Sequence, residues 1–151
     1  MNREIKFRMW DKKSKKMRKV ESIGFGKLNH YENPVVNGVG YDCINDKEIM
    51  VHRDFPHFEL MQYTGLKDKN DNKIYEGDII RQVKVRTKEE HIDKNNYKVV
   101  FKYGSFWLER PDGNTVYIKD FPTIDEFVGF ECFEVIGNVY ENPELLKEDE
   151  E

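Results

Sequence analysis

Hydrophobic and polar residues alternate along several short segments of the chain, a period of two that is typical of β-strands with one buried face. Near the start, Ile5, Phe7 and Met9 alternate with Lys6, Arg8 and Trp10. This pattern predicts a strand that places the apolar trio on one face. The polar segment that follows, residues 11–16, predicts a turn, and residues 17–25 predict the returning strand of a β-hairpin.

The rest of the sequence predicts short strands separated by turns rich in Gly, Pro, Asn and Asp. The predicted strands are residues 35–41, 47–51, 58–64, 74–86, 97–103, 105–110, 115–118 and 132–140. Between residues 26 and 56 turn residues dominate, so the fold of this stretch is left open. Helix is limited to one turn capped by Thr123 and Glu126 and another beginning at Pro143. The pattern predicts a mainly β protein with little helix, and the five or six short strands after residue 56 predict a small closed or partly open barrel. We find no internal repeat.

Composition supports a soluble β protein. Hydrophobic residues make up 38% of the chain, charged residues 36% and aromatic residues 13%, a balance that favours half-buried strands over broad buried helices. No apolar run approaches the roughly 18 residues that a membrane-spanning helix needs, and the start lacks the apolar core of a signal peptide. Cys43 and Cys132 form no CxxC pattern. We therefore expect a cytoplasmic protein with no membrane contact.

No spacing of residues predicts catalysis or a metal site. The segment that begins Asp68-x-Asn70-x-Asn72 resembles the start of a calcium-binding loop. However, Lys73 stands where that loop needs glycine, and Ile79 stands where it needs a bidentate Glu. The four histidines have no zinc-ligand spacing, and no serine lies in a nucleophile elbow. We expect a protein that is not an enzyme, with no catalytic residue, no metal and no cofactor.

Charge is distributed unevenly along the chain, whose formal net charge is −4. Residues 1–20 hold nine Lys or Arg against two acids, whereas residues 141–151 hold six acids against one Lys. A dense basic cluster lies on the predicted N-terminal hairpin. Its candidate nucleic-acid-binding residues are Trp10, Lys12, Lys13, Lys15, Lys16, Arg18 and Lys19. The cations can neutralise phosphates and Trp10 can stack on a base; alternatively, the cluster is a solvated hairpin tip with Trp10 packed on its own sheet, or the acidic end covers it.

Two glycine motifs have a structural interpretation. Glu76, Gly77 and Asp78 stand between a polar turn and an apolar strand, where Gly can adopt a positive φ and Asp can bond back to the turn. Gly137, inside the last predicted strand, indicates a β-bulge or a close backbone approach. The side-chain amide of Asn138 can bind a neighbouring turn. Turn chemistry is therefore the expected role of these five residues.

Three stretches of the chain, in order, resemble the YopX-like family of phage and prophage proteins. They are residues 3–11 (REIKFRMWD), residues 60–68 (LMQYTGLKD) leading into 74–80 (IYEGDII), and residues 135–146 (VIGNVYENPELL). The resemblance implies an SH3-like barrel in the C-terminal part, an N-terminal portion rich in β-hairpins, and a place in an infected or lysogenic bacterial host. It supplies no catalytic residue to transfer. The implied divisions are an N-terminal β-rich portion at 1–55, an SH3-like β-barrel domain at 56–146 and an acidic tail at 147–151.

Two functions from different classes follow from these observations. The preferred hypothesis is a protein-interaction or scaffolding module that forms a homo-oligomer through exposed strand edges and oppositely charged ends, with any further protein partner unknown. The alternative is a nucleic-acid-associated accessory protein whose hairpin at residues 12–19 contacts phosphates without reading sequence. The sequence names neither the partner nor the oligomer size.

Overall fold

The structure, a computed structural model, describes residues 4–25, 34–83, 94–117 and 132–147. This part of the chain contains eleven β-strands and one short 3-10 helix, which confirms the predicted mainly β class. It falls into two compact units, the first ending at Gln62 and the second beginning at Tyr63. The division therefore lies inside a strand, whereas the boundary expected from the sequence, between residues 55 and 56, lies in the turn before that strand.

The first unit is a five-stranded antiparallel sheet. Its strands are β1 (Phe7–Asp11), β2 (Lys16–Gly24), β3 (Val35–Asp42), β4 (Lys47–Asp54) and the first half of β5 (Phe58–Lys67). Strands β1 to β4 pair in sequence, and β5 returns to pair with β1, which gives the order β4-β3-β2-β1-β5. Strands β3 and β4 occupy the stretch whose fold the sequence left open.

The sheet of the first unit is strongly curled. Strands β1 and β4 are separated by two strands, a distance of about 14 Å in a flat sheet. Nevertheless, the side chain of Arg53 on β4 hydrogen-bonds the carboxylate of Asp11 on β1. Met9, Val51 and Phe58, from β1, β4 and β5, also lie in one buried cluster. The outer strands of this unit therefore approach each other, as in a partly open barrel.

Strand β1 is covered on both faces. Met9 is fully buried, as its alternating pattern predicts, and Trp10, on the opposite face, exposes only 8% of its surface. The prediction for Ile5 was wrong, because this residue precedes β1 and is exposed. A strand that is buried on both faces does not show strict alternation, which explains why the alternating trio contains only one, Met9, of the three buried residues of β1.

The second unit repeats the strand order of the first. Its remaining elements are β6 (Lys73–Tyr75), β7 (Asp78–Gln82), β8 (Asn96–Lys102), β9 (Ser105–Glu109), β10 (Thr115–Tyr117), β11 (Phe133–Asn138) and the 3-10 helix Pro143–Leu146. The second half of β5 pairs with β6, strands β7 to β10 pair in sequence, and β11 returns to β7. The order β10-β9-β8-β7-β11 is thus a second meander whose fifth strand pairs with its first. The repeat is one of topology, which a search for repeated residues cannot detect.

The core of the second unit is a single buried cluster. Its members are Ile74, Ile80, Tyr97, Val99, Phe106, Leu108, Cys132 and Phe133. The alternating apolar residues of β8 and β9 supply half of them, as the sequence pattern predicts. The strand order fits the SH3-like barrel that the family resemblance implies, and that finer assignment stays a prediction. The predicted helical turn at Pro143 is the 3-10 helix, and the turn capped by Thr123 and Glu126 lies outside the described residues.

The predicted single extended segment at residues 74–86 was wrong. It contains two strands, β6 and β7, because Glu76 and Gly77 form a turn between them. Gly77 has a φ of 79°, its N–H donates to the carbonyl of Val99 at 2.8 Å, and its own carbonyl accepts the N–H of Val139 at 2.9 Å. The change of direction at Gly77 therefore forms hydrogen bonds with two other segments of the same unit.

A buried carboxylate fixes the turn between β5 and β6. Asp68 Oδ1 accepts the N–H groups of Asn70 and Asn72, at 2.8 and 2.9 Å, and Oδ2 accepts the N–H of Val135 on β11 at 3.0 Å. Burial raises the pKa of Asp68, but these hydrogen bonds outweigh it, so the pKa lies below its ordinary value. The carboxylate that resembled a calcium ligand in the sequence thus binds backbone N–H groups.

Substitution of Asp68 by Ala is expected to lower the free energy of unfolding by about 2–4 kcal/mol, because buried N–H groups lose their acceptor. Urea unfolding followed by tryptophan fluorescence measures the change. Glu144→Ala, which removes an exposed carboxylate from the same unit, is the control and should change the free energy by about 0.5 kcal/mol or less. Similar losses in the two variants would contradict the role assigned to Asp68.

Candidate functional site

The carboxylate of Asp11, at the end of β1, supports the basic hairpin formed by β1 and β2. It is fully buried. Arg53 binds it through two parallel hydrogen bonds, from Nε to Oδ1 at 2.6 Å and from Nη2 to Oδ2 at 2.8 Å. Arg18 on β2 donates from Nε to Oδ2 at 3.0 Å, and the Ser14 hydroxyl donates to the same oxygen at 2.6 Å. Paired, charge-assisted bonds of this kind are the strongest that a carboxylate forms with side chains.

Asp11 also determines the conformation of the hairpin tip. The backbone N–H of Lys13 donates to Asp11 Oδ1 at 3.1 Å, and the backbone N–H of Lys15 donates to the Asp11 carbonyl at 2.8 Å. Lys15 adopts a φ of 55°, in the left-handed region. The tip, residues 12–15, is therefore anchored to a buried group by both its side-chain and backbone contacts.

The Asp11 cluster carries a net positive charge. Burial raises the pKa of Asp11, but hydrogen bonds from Arg53, Ser14 and Arg18 lower it by more, so the pKa lies far below its ordinary value of 3.8. The carboxylate is therefore ionised at neutral pH. One negative charge faces two guanidinium groups, and the excess positive charge lies directly beneath the hairpin tip.

Two glycines on β3 leave space for this cluster. A Cβ atom on Gly40 would lie 2.9 Å from Nη1 of Arg18 and 2.5 Å from Cγ2 of Val51. A Cβ atom on Gly38 would lie 2.5 Å from Cε of Met9 and 2.9 Å from the carbonyl oxygen of Lys19. Arg18 uses the space to donate from Nη1 to the carbonyl of Val39 at 3.3 Å. Both glycines are thus required by close approach rather than by backbone conformation.

The predicted basic cluster divides into paired and unpaired cations. Lys12 forms an ion pair with Glu59 at 2.5 Å, Lys19 forms one with Glu21 at 2.7 Å, and Arg18 is committed to Asp11. The remaining candidates, Lys13, Lys15 and Lys16, are exposed and form no ion pair with any residue that the structure describes. The accessible positive charge of the hairpin therefore lies at its tip.

Trp10 does not lie on the accessible surface of the basic hairpin. Because it exposes only 8% of its surface, its ring is not available to stack on a base. The structure favours the alternative interpretation from the sequence, in which Trp10 packs within the protein. The basic hairpin therefore presents positively charged side chains, but the Trp10 ring does not accompany them at the surface.

The five residues interpreted as structural take part in backbone turns of the second unit. Asp78 is buried and accepts the N–H of Tyr75 at 2.7 Å, across the turn made by Glu76 and Gly77. The register of β11 shifts between Val135 and Gly137, which is a β-bulge. A Cβ atom on Gly137 would lie 2.5 Å from Oδ1 of Asn142.

Asn138 organises the turn that follows β11. Its Oδ1 accepts the N–H groups of Tyr140 and Glu141, at 3.1 and 3.0 Å. Its Nδ2 donates to the carboxylate of Glu141 at 2.6 Å. A buried side chain with these contacts serves the backbone, so this motif provides no surface for a ligand.

A second surface feature, which sequence reasoning missed, lies on the hairpin of β3 and β4. Tyr41, Ile44, Ile49 and Met50 expose 56%, 93%, 39% and 61% of their surfaces. We call residues 41–50 the apolar hairpin. The run Ile49-Met50-Val51 was a usable signal, because consecutive residues of a strand point to opposite faces and cannot all be buried beneath one sheet.

The described residues contain no group of three or more His, Cys, Asp or Glu that could hold a metal ion. His52 bonds to Asn37 at 2.8 Å and His57 to Asp54 at 3.1 Å, whereas His30 and His91 lie outside the described residues. Within the described ranges, no helix is long and apolar enough to cross a membrane. The candidate site is therefore a pair of hairpin surfaces, one basic and one apolar.

The fold and these surfaces define a mainly β protein of two units, each of which contains a five-strand meander with the same strand order. The model of the YopX protein family matches residues 6–147, nearly the whole chain, and the chain belongs to this family. The crystal structure of protein EF1440 from Enterococcus faecalis is similar, with a TM-score of 0.59 and 22% sequence identity over 97% of this chain and 100% of that one. At this identity the likeness concerns the fold alone. No curated protein matches the sequence.

Asp11→Asn is expected to lower the free energy of unfolding by about 3–5 kcal/mol, because two partly buried guanidinium groups lose their fully buried counter-charge. Chemical unfolding at pH 7 gives the value. In the control, Glu21→Gln, an exposed carboxylate paired with Lys19 is neutralised, and a loss of about 1 kcal/mol or less is expected. If Asp11→Asn cost no more than this control, the Asp11 cluster would not support the sheet.

The stabilisation from Asp11 is expected to disappear in acid. Because its pKa is lower in the folded than in the unfolded protein, the contribution is complete above the ordinary value of 3.8 and decreases as pH falls below it. Unfolding measured from pH 7 to pH 2 should therefore show a constant difference between wild type and Asp11→Asn above about pH 5, which narrows below about pH 4. If the stability difference between wild type and Asp11→Asn widened in acid, the pKa of Asp11 would not be lowered in the folded protein.

Proposed function

We propose that the chain is a non-enzymatic binding module that associates with other copies of itself through the apolar hairpin. The observation that carries the proposal is the exposure of four large apolar side chains within ten residues. Concentrated apolar surface of this kind marks an interaction site on a soluble protein.

Charge disfavours direct pairing of β4 with β4 of another copy. Suppose that β4 of one copy pairs antiparallel with β4 of a second copy across a two-fold axis. The symmetry then places odd-numbered residues of one strand opposite odd-numbered residues of the other. One central register places Lys47 opposite Arg53, and the next places Glu48 opposite Asp54. Like charges directly opposite each other destabilise a sheet. The apolar side chains, rather than the strand edge, therefore make the contact.

The second unit of another copy offers a surface that is complementary in charge to the first unit. Residues 1–62 hold twelve Lys or Arg against nine Asp or Glu, whereas residues 63–151 hold thirteen against twenty. The second unit also exposes aromatic side chains at the turn between β8 and β9, where Tyr103 is 92% exposed and Phe101 about half exposed. Opposite charges favour a head-to-tail arrangement that brings the apolar hairpin of one copy to the aromatic turn of the next.

The double substitution Ile44→Ser and Met50→Ser is expected to shift the protein to monomers. Wild type should elute as a dimer or larger species at micromolar concentration, with its mass fixed by light scattering, and should dissociate partly in high salt. The matched control is Ile5→Ser with Phe25→Ser, two exposed apolar residues outside the apolar hairpin; this variant should keep the wild-type mass. A monomeric wild type would refute the proposal.

The nucleic-acid role that the sequence also suggests rests on the basic hairpin. The exposed cations of that surface lie on the turn between β1 and β2 and at the start of β2. The two roles are therefore tested by different substitutions.

A further inference from the structure

The tip of the basic hairpin presents an exposed, positively charged surface. Lys13, Lys15 and Lys16 are exposed within four residues, and none forms an ion pair with a described residue. The neighbouring cations Lys12 and Lys19 are each neutralised by a Glu. Asp54 lies near enough to Lys13 to interact with it electrostatically, but without an ion pair the three ammonium groups can still bind an external anion.

The backbone beneath these lysines is held in place before any ligand binds. Asp11 accepts hydrogen bonds from the tip, and Arg18 and Arg53 fix the Asp11 carboxylate in turn. Ordering of a flexible loop is a cost of binding that a rigid tip avoids. The excess positive charge of the Asp11 cluster adds to the potential at the same point.

We propose that this tip binds the phosphate backbone of double-stranded nucleic acid. Lysine ammonium groups bind phosphates as point charges, and a duplex presents about one negative charge per 1.7 Å along its axis. Proteins that prefer single strands add aromatic stacking to charge, and here Trp10 is buried. Contacts to phosphates alone carry no sequence information, so the binding is independent of sequence.

The strength of this binding depends on the net charge of −4, because acids elsewhere on the chain repel the phosphates. Repulsion from acids elsewhere on the chain is screened over about 10 Å at 0.1 M salt, whereas the lysines at the tip contact phosphates directly. The dissociation constant falls in the range of non-specific complexes, about 10⁻⁴ to 10⁻⁶ M. Three phosphate contacts give a slope of log K against log salt of about −2.7.

The test is fluorescence anisotropy of a labelled 20-base-pair DNA duplex, titrated with the full chain between 50 and 200 mM salt. Lys13→Glu, Lys15→Glu and Lys16→Glu together should weaken binding at least tenfold. The matched control reverses three exposed lysines of the second unit, Lys67, Lys94 and Lys147. It changes the net charge by the same amount. Its affinity for the duplex should stay within about threefold of wild type, because salt screens charges far from the contact.

Three results would overturn the proposal. Equal losses in the two triple variants would assign the effect to net charge, and tighter binding of a single strand of equal length would exclude the duplex. A salt slope near zero would exclude phosphate contacts. The neutral variant Lys13→Gln, Lys15→Gln and Lys16→Gln checks that loss of binding does not reflect misfolding. Its unfolding midpoint should match wild type, while its salt slope approaches zero.

Discussion

The closure of the first unit depends on one buried carboxylate. Asp11 lies on β1, and its guanidinium partners lie on β2 and β4, seven and forty-two residues along the chain. An unpaired charge at such a position would be strongly destabilising, so the sheet must curl until both arginines reach it. The same carboxylate accepts hydrogen bonds from the turn at residues 12–15. Closure of the sheet and order at the hairpin tip are therefore two effects of one interaction.

This arrangement separates structural cations from accessible ones within a single basic segment. Arg18 is used inside the unit, and Lys12 and Lys19 are paired at its surface. Among the described residues of this segment, Lys13, Lys15 and Lys16 at the tip are exposed and form no ion pair. A dense run of positive charge in a sequence therefore overstates the charge that a ligand meets, and the number of contacts it supports is set by the pairing that the fold imposes.

Local patterns predicted most of the strands, because alternation and turn residues act over a few positions. They predicted β3 and β4 inside a stretch rich in turns, and they separated β8 from β9. They missed the turn at Gly77 that divides β6 from β7, and they could not assign Asp11, because Arg53 comes from a distant strand. A Trp10 packed on its own sheet was one of the alternatives from the sequence, but alternation could not decide for it, since a strand covered on both faces loses its alternation. The shared topology of the two units is carried by strand order, not by repeated residues.

The shared topology also provides an internal comparison for the apolar hairpin. The hairpin of β3 and β4 corresponds to that of β9 and β10, the third and fourth strands of their meanders. The turn between β9 and β10 is polar: Arg110 donates its N–H to the carbonyl of Asn114, and Asp112 accepts the N–H of Asn114. The fold therefore closes this turn without an apolar residue. Ile44, 93% exposed at the corresponding turn of the first unit, is not required by the topology, and the self-association that we propose gives its exposure a physical reason.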